Sequence, residues 1–165
     1  MGHRLSDGQK RAAGAALIAL LALANAGCER WRLDQQMERL CKKDGGIKVY
    51  ETVTLPASEF SNVGQPLARY AQQAKSPEDR LGPDYRYAWE RTILFGVGAK
   101  LAAGEGTLVR NHVAITRRAD GRLLGESVSY ARGGGDGFTF GFQPSGNHCP
   151  SPRIDLISSV FIKGD

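Results

Sequence analysis

Two carboxylates stand on strand faces that otherwise carry apolar side chains. Glu51 interrupts Ile47, Val49, Val53 and Leu55, and Glu126 interrupts Leu124, Val128 and Tyr130. Two acids in one cleft are what glycoside cleavage uses, one held protonated as general acid and the other ionised. If the two strands adjoin, Glu51 and Glu126 form a candidate catalytic pair. The ordinary alternative is that each sits at a sheet edge or pairs with an arginine such as Arg86, Arg110 or Arg132, because structural ion pairs also shift carboxyl pKa values.

Other chemistries find less support in the residues. Cys149 with His112 would supply a nucleophile and a base, but a disulfide would consume that thiol. Ser127 and Ser129 flank Val128 without the glycines of a nucleophile elbow. His112, His148, Cys41 and Cys149 are types that zinc accepts, yet they show no C-x-x-C or H-x-x-x-H spacing, so neither a metal nor a cofactor is expected. Gly96-Val97-Gly98-Ala99-Lys100 and the run 133–137 complete neither phosphate-loop pattern. Tyr85, Tyr87 and Trp89 alternate, which suits a core-facing strand or a binding face for a partner or a sugar.

The elements that must position these residues follow from periodicity. Leu33, Met37, Leu40 and Cys41 recur at helical spacing, so 29–43 reads as a helix, and Gly45-Gly46 stops it. Arg30/Asp34 and Glu38/Lys42 are pairs four residues apart on its surface. Ile47 to Leu55 alternates and reads as one strand, ended by Pro56. Residues 57–83 are broken by Pro66, Pro77, Gly82 and Pro83, with a short helical turn from Ser76-Pro77. Strands are expected over 84–95, 107–118 and 122–131, the last two joined at Asp120-Gly121 as a hairpin. Val109, Val113 and Ile115 share one face, as do Leu124, Val128 and Tyr130. Residues 96–106 and 133–137 read as glycine-rich connections, with Phe138, Phe140 and Phe142 alternating after the second. Residues 147–150 read as a loop, 151–158 as a short helix, and 160–163 as a last strand. The expected fold class is α+β: an N-terminal helix packed on a mainly antiparallel sheet of four to six strands.

The run Leu40-Cys41-Lys42-Lys43-Asp44-Gly45-Gly46-Ile47-Lys48-Val49-Tyr50-Glu51-Thr52-Val53 resembles a segment of small exported envelope proteins of Gram-negative bacteria. Arg80-Leu81-Gly82-Pro83-Asp84-Tyr85 and the Asp120–Gly125 hairpin are similar to theirs too. The resemblance covers about half of the chain beyond residue 27. It implies a small exported domain and brings no catalytic residue with it.

The N-terminus fits export. Arg4, Lys10 and Arg11 precede the apolar run 12–24, and small residues lead to Cys28. This is the order of a signal peptide, and the run is short for a membrane span. Ala26-Gly27-Cys28 resembles the end of a lipobox, with Asn25 where that motif usually has Leu, so Cys28 is the candidate lipidation site. Cleavage after Ala26 into a soluble periplasmic protein, or retention as an uncleaved anchor, are the alternatives. The expected organisation is a signal peptide over 1–27 and one domain over 28–165. An oxidising compartment pairs thiols. With Cys28 lipidated, Cys41 and Cys149 remain as a disulfide.

Removing 1–27 takes away Arg4, Lys10, Arg11 and Asp7 and leaves a formal net charge of +3. That is too mild to argue for nucleic acid. The expectation is a non-enzymatic envelope lipoprotein, facing the periplasm, with an interaction or assembly role. Its partners would be membrane lipid, through the N-terminal acyl anchor, and another envelope protein. A small cell-wall or envelope hydrolase using Glu51 and Glu126 is the alternative, and a carrier of a small apolar ligand a third.

Overall fold

The computed structural model describes residues 28–96, 105–136, 145–150 and 155–164. The first helix, α1 (Cys28–Asp44), presents Leu33, Met37 and Cys41 to the interior and Trp31, Arg39 and Lys42 to solvent. Four strands follow it in one antiparallel sheet: β1 (Gly46–Val49), β3 (Tyr85–Phe95), β4 (Gly106–Arg117) and β5 (Leu123–Gly134), in the order β1-β5-β4-β3. A fifth strand, β6 (Gly146–Cys149), pairs with the far end of β5. A separate parallel pair is made by β2 (Val53–Leu55) and β7 (Phe161–Lys163). Two short α-helices, α2 (Ala68–Gln73) and α3 (Leu156–Val160), and two 3-10 turns, Ala57–Glu59 and Pro77–Asp79, the second the turn expected after Ser76, complete the set among the described residues. The class is α+β, with α1 packed on the sheet as expected.

Residues directly opposite in a sheet share a face, and neighbours along a strand alternate. The register therefore separates two cores. On one face Leu108, Val128 and Tyr130 meet Leu33, Met37 and Cys41 of α1. On the other, Ile115 and Leu124 meet Leu156, Val160 and Phe161. The disulfide Cys41–Cys149 ties α1 to β6, with Cα atoms 6.1 Å apart. Arg132 lies beneath the same junction. Its Nε donates to Asp34 at 2.7 Å and its Nη1 to the carbonyl of Gly134 at 2.5 Å, so the buried guanidinium is paired and hydrogen-bonded.

Three expectations need correction. The run 47–55 is two strands, not one. Tyr50 and Glu51 both donate their N–H to the carbonyl of Leu124, which ends the pairing of β1 with β5 before β2 turns to β7. Leu124 does not share a face with Val128 and Tyr130. A register irregularity on β5, where Ile115 faces Gly125 and Thr116 faces Leu123, leaves Leu124 unmatched and in the opposite core. Residues 147–149 are strand rather than loop, because β5 and the disulfide supply pairing that local propensity does not. The hairpin is as expected: Arg117 N–H donates to Arg122 O at 2.9 Å, and Asp120 accepts from Arg122 N–H. The expected signal peptide, the alternating phenylalanines 138–142, residues 97–104 of the glycine-rich connection and residues 151–154 of the last helix lie outside the described residues. Among the described residues no helix is long and apolar enough to cross a membrane.

Candidate functional site

Helix α1 covers only part of its side of the sheet. Beside it the same face continues through Glu126, His112, Ala114, Ala88 and Glu90. Lys48 of β1 lies directly opposite Glu126, and His112 sits diagonally across, opposite Val128. Tyr50 leaves the end of β1 and turns back over the same strand. These placements converge on one carboxylate. Tyr50 Oη donates to Glu126 Oε1 at 2.6 Å, His112 Nε2 lies 2.9 Å from Oε2, and Lys48 Nζ is 3.7 Å from Oε1. The Tyr50 hydroxyl first, then His112 and the Lys48 charge, hold the Glu126 carboxyl below its ordinary range despite partial burial. The same bond pushes the Tyr50 phenol up. An ionised carboxylate accepts only, so Nε2 of His112 carries the proton in that bond and Nδ1 of a neutral ring is left as acceptor.

His112 also lines an open cavity of about 430 Å³ on this face, with Glu78, Arg86, Ala88, Glu90 and Ala114. Arg86 is held by Glu78 through Nε at 3.1 Å and Nη2 at 3.3 Å. Next along the sheet, Tyr130 Oη donates to Asp44 Oδ1 at 2.6 Å and Arg110 to Oδ2 at 3.3 Å. The Tyr130 bond and Arg110 lower the Asp44 carboxyl, which satisfies an acid at the unfavourable end of a helix.

Glu51 has a different set of partners. Arg117 Nη2 contacts its Oε1, and Arg122 Nε lies 3.0 Å from Oε2. The two candidate acids are thus each engaged by their own groups, Glu51 by the arginines of the hairpin and Glu126 by Tyr50, His112 and Lys48. Arg86, Arg110 and Arg132 serve neither; they pair with Glu78, Asp44 and Asp34.

The opposite face carries a groove of about 380 Å³. Trp89, Val113 and Ile157 give it apolar walls, and Asn111, Ser129 and His148 polar ones. The aromatic strand serves two purposes. Tyr85 packs edge-on against Phe161 at 4.8 Å in the core, whereas Trp89 is 55% exposed at the groove. Cys149 points the other way from His148, into its disulfide, so it offers His112 no thiol. Among the described residues no group of three or more His, Cys, Asp or Glu side chains is placed to hold a metal ion.

Sequence reasoning flagged Glu126 and named His112 only as a partner for Cys149 or zinc. Tyr50 and Lys48 were not singled out. Alternation puts Lys48 and Tyr50 on one face of their strand, but only the pairing of β1 with β5 sets Lys48 opposite Glu126. In comparisons with protein-family models, curated proteins and solved structures, the chain matches none.

Proposed function

We propose that the chain is a small cell-wall or envelope hydrolase, held at the membrane through Cys28, whose working groups are His112 and Glu126. The observation that supports this reading is the 2.9 Å contact of His112, which lines an open cavity, with a carboxylate fixed by Tyr50 at 2.6 Å. Glu126 stays ionised and positions the ring. His112 takes a proton from a water as its oxygen attacks the substrate, then returns that proton to the leaving group. Arg86 lies in the same cavity, where a guanidinium favours developing negative charge. Glu51, engaged by Arg117 and Arg122, has a structural part in this scheme. The test is release of soluble fragments from purified cell-wall sacculi. General acid–base catalysis is worth about 100-fold or more, so Glu126→Gln and His112→Gln should each lose about that factor. Absence of release by the wild type would defeat the proposal. An equal loss in Glu51→Gln would restore the two-carboxylate scheme.

A second reading has its own observation. The groove on the other face, with exposed Trp89 above polar Asn111, Ser129 and His148, favours a non-enzymatic interaction role. A cavity of a few hundred Å³ with apolar walls and a few polar groups suits an apolar side chain presented by another envelope protein. The dye 1-anilinonaphthalene-8-sulfonate serves as probe. Its fluorescence should rise with the wild type and fall at least tenfold in Ser129→Phe, which fills the groove; equal binding by both would remove this reading.

A further inference from the structure

We infer that the free edge of β3 pairs with the same edge of a second copy of this chain, centred on Arg91. Strand β3 has eleven residues, no proline, and a neighbour on one side only, β4. Long edges of this kind are templates for another strand unless something blunts them. The ladder says which backbone groups are left over. Arg118 N–H donates to Asp84 O at 2.8 Å, in register with the pairs from Tyr85↔Arg117 to Ile93↔Val109. Hydrogen-bonded and non-bonded pairs alternate along an antiparallel ladder, so Arg86, Ala88, Glu90 and Thr92 turn their N–H and C=O to β4. Tyr87, Trp89, Arg91 and Ile93 turn theirs outward. Among the described residues nothing pairs with these groups of Trp89, Arg91 and Ile93, and residues 89–94 are all exposed. The start of β3 is different. Glu78 reaches Arg86 on the face of α1, and Arg80 lies 4.8 Å over the Tyr87 ring on the other, so the turn Pro77–Asp79 wraps that end. The open stretch is 89–94.

The occupant follows from that stretch being complementary to itself. A two-fold axis through Arg91, perpendicular to the sheet, sets Trp89 opposite Ile93 of the second copy, and Ile93 opposite its Trp89. These side chains are 55% and 54% exposed in the single chain and lie on one face. An aromatic ring opposite a β-branched residue is a favourable cross-strand pair. Every outward N–H and C=O of Trp89, Arg91 and Ile93 then finds a partner. On the face of α1, Glu90 stands opposite Thr92. The cost is Arg91 opposite Arg91, but hydrogen-bonded pairs are the wider ones, about 5.5 Å between Cα atoms against about 4.5 Å. One step toward the start of β3 would set Glu90 against Glu90 in a narrow pair and require Tyr87, which the turn holds. One step the other way would set Glu90 against Leu94. The chosen register avoids both. So short a contact falls below the about 1,200 Å² of a standard interface, which makes the dimer a transient one. The axis keeps both α1 helices on one side of a continuous sheet. Thr92 of the second copy therefore borders the His112 cavity at Glu90. The groove lies on the β4 side of Trp89 and stays open, so the pairing is independent of both readings above.

The experiment is disulfide cross-linking of the full-length chain in detergent under a mild oxidant, with the wild type as background for Cys28. The predicted Cα separation at the axis lies within the about 4.4–6.8 Å that a disulfide spans. Arg91→Cys should therefore form covalent dimer about tenfold faster than Val63→Cys, a control that is 80% exposed elsewhere on the surface. Adding Ile93→Lys, a charge of the kind that guards natural edges, should remove that advantage while the circular dichroism is kept. Equal rates for Arg91→Cys and Val63→Cys would overturn the pairing, as would an Arg91→Cys rate that Ile93→Lys leaves unchanged. Faster dimer formation by Glu90→Cys than by Arg91→Cys would overturn the register.

Discussion

The hydrogen bond from Tyr50 to Glu126 needs a protonated phenol and an ionised carboxyl. Both conditions hold between the ordinary values of the two groups, 4.5 for the acid and 10.0 for the phenol. Glu126 is lowered in the fold, chiefly by Tyr50 and then by His112, so its contribution to stability is present above 4.5 and lost as pH falls through the lower folded value. Tyr50 is raised by the same bond, so its contribution is present below 10.0 and lost as pH rises through the higher folded value. Urea unfolding between pH 3 and pH 7 should therefore show a shallower acid decline in Glu126→Gln than in the wild type. Parallel declines would mean that the carboxylate is not held in this way. At the same scale, Glu51 illustrates what the sequence leaves open. The interruption of an apolar face singles Glu51 out as an acid, but its partners are Arg117 and Arg122 of the hairpin rather than Arg86, Arg110 or Arg132.

At the scale of elements, the site depends on how closely α3 approaches the sheet. Gly125 stands opposite Val49 on β1 and under α3. A Cβ there would lie 2.8 Å from Val160 Cγ2, 3.1 Å from the carbonyl of Lys48 and 3.2 Å from Leu156 Cδ1. Overpacking of this kind costs about 1–3 kcal/mol. Gly125→Ala should show that loss by chemical denaturation, and it should disturb Glu126 through Lys48; an unchanged midpoint would show that α3 is free to move aside. Helix α1 and the β4–β5 hairpin were legible because each carries a long periodic pattern with a clear stop or turn. The division of 47–55 was not, because the alternation continues through Tyr50 and Glu51 while the backbone changes partners. Nor was β6, whose Gly-Asn-His-Cys has little strand preference and is held by β5 and a disulfide. The dyad was half legible. His112 and Glu126 are 14 residues apart across one hairpin, but their diagonal contact depends on a register that the Leu124 irregularity adjusts.

For the whole molecule, the two cores lie on opposite faces of one sheet, and the disulfide belongs to the core under α1. The Cys41–Cys149 bond closes a separation of 108 residues. In the chain-entropy account such a loop contributes about 4–5 kcal/mol by restricting the unfolded chain. Reduction, or replacement of both cysteines by serine, should lower the urea midpoint accordingly, and a shift of less than about 1 kcal/mol would place the stability of the α1–β6 junction in Arg132 and its partners instead. The arrangement separates two surfaces: a groove beside Trp89 and a polar cavity beside His112. Activity, on this account, belongs to the last.

The claim at its centre is that ionised Glu126 accepts a hydrogen bond from the protonated Nε2 of His112 and leaves Nδ1 as the acceptor. Nitrogen-15 NMR of the imidazole at neutral pH reads this directly. The account predicts a proton on Nε2 in the wild type and a shifted tautomer balance in Glu126→Gln. A proton on Nδ1 with Nε2 bare, or a ring indifferent to that substitution, would contradict it.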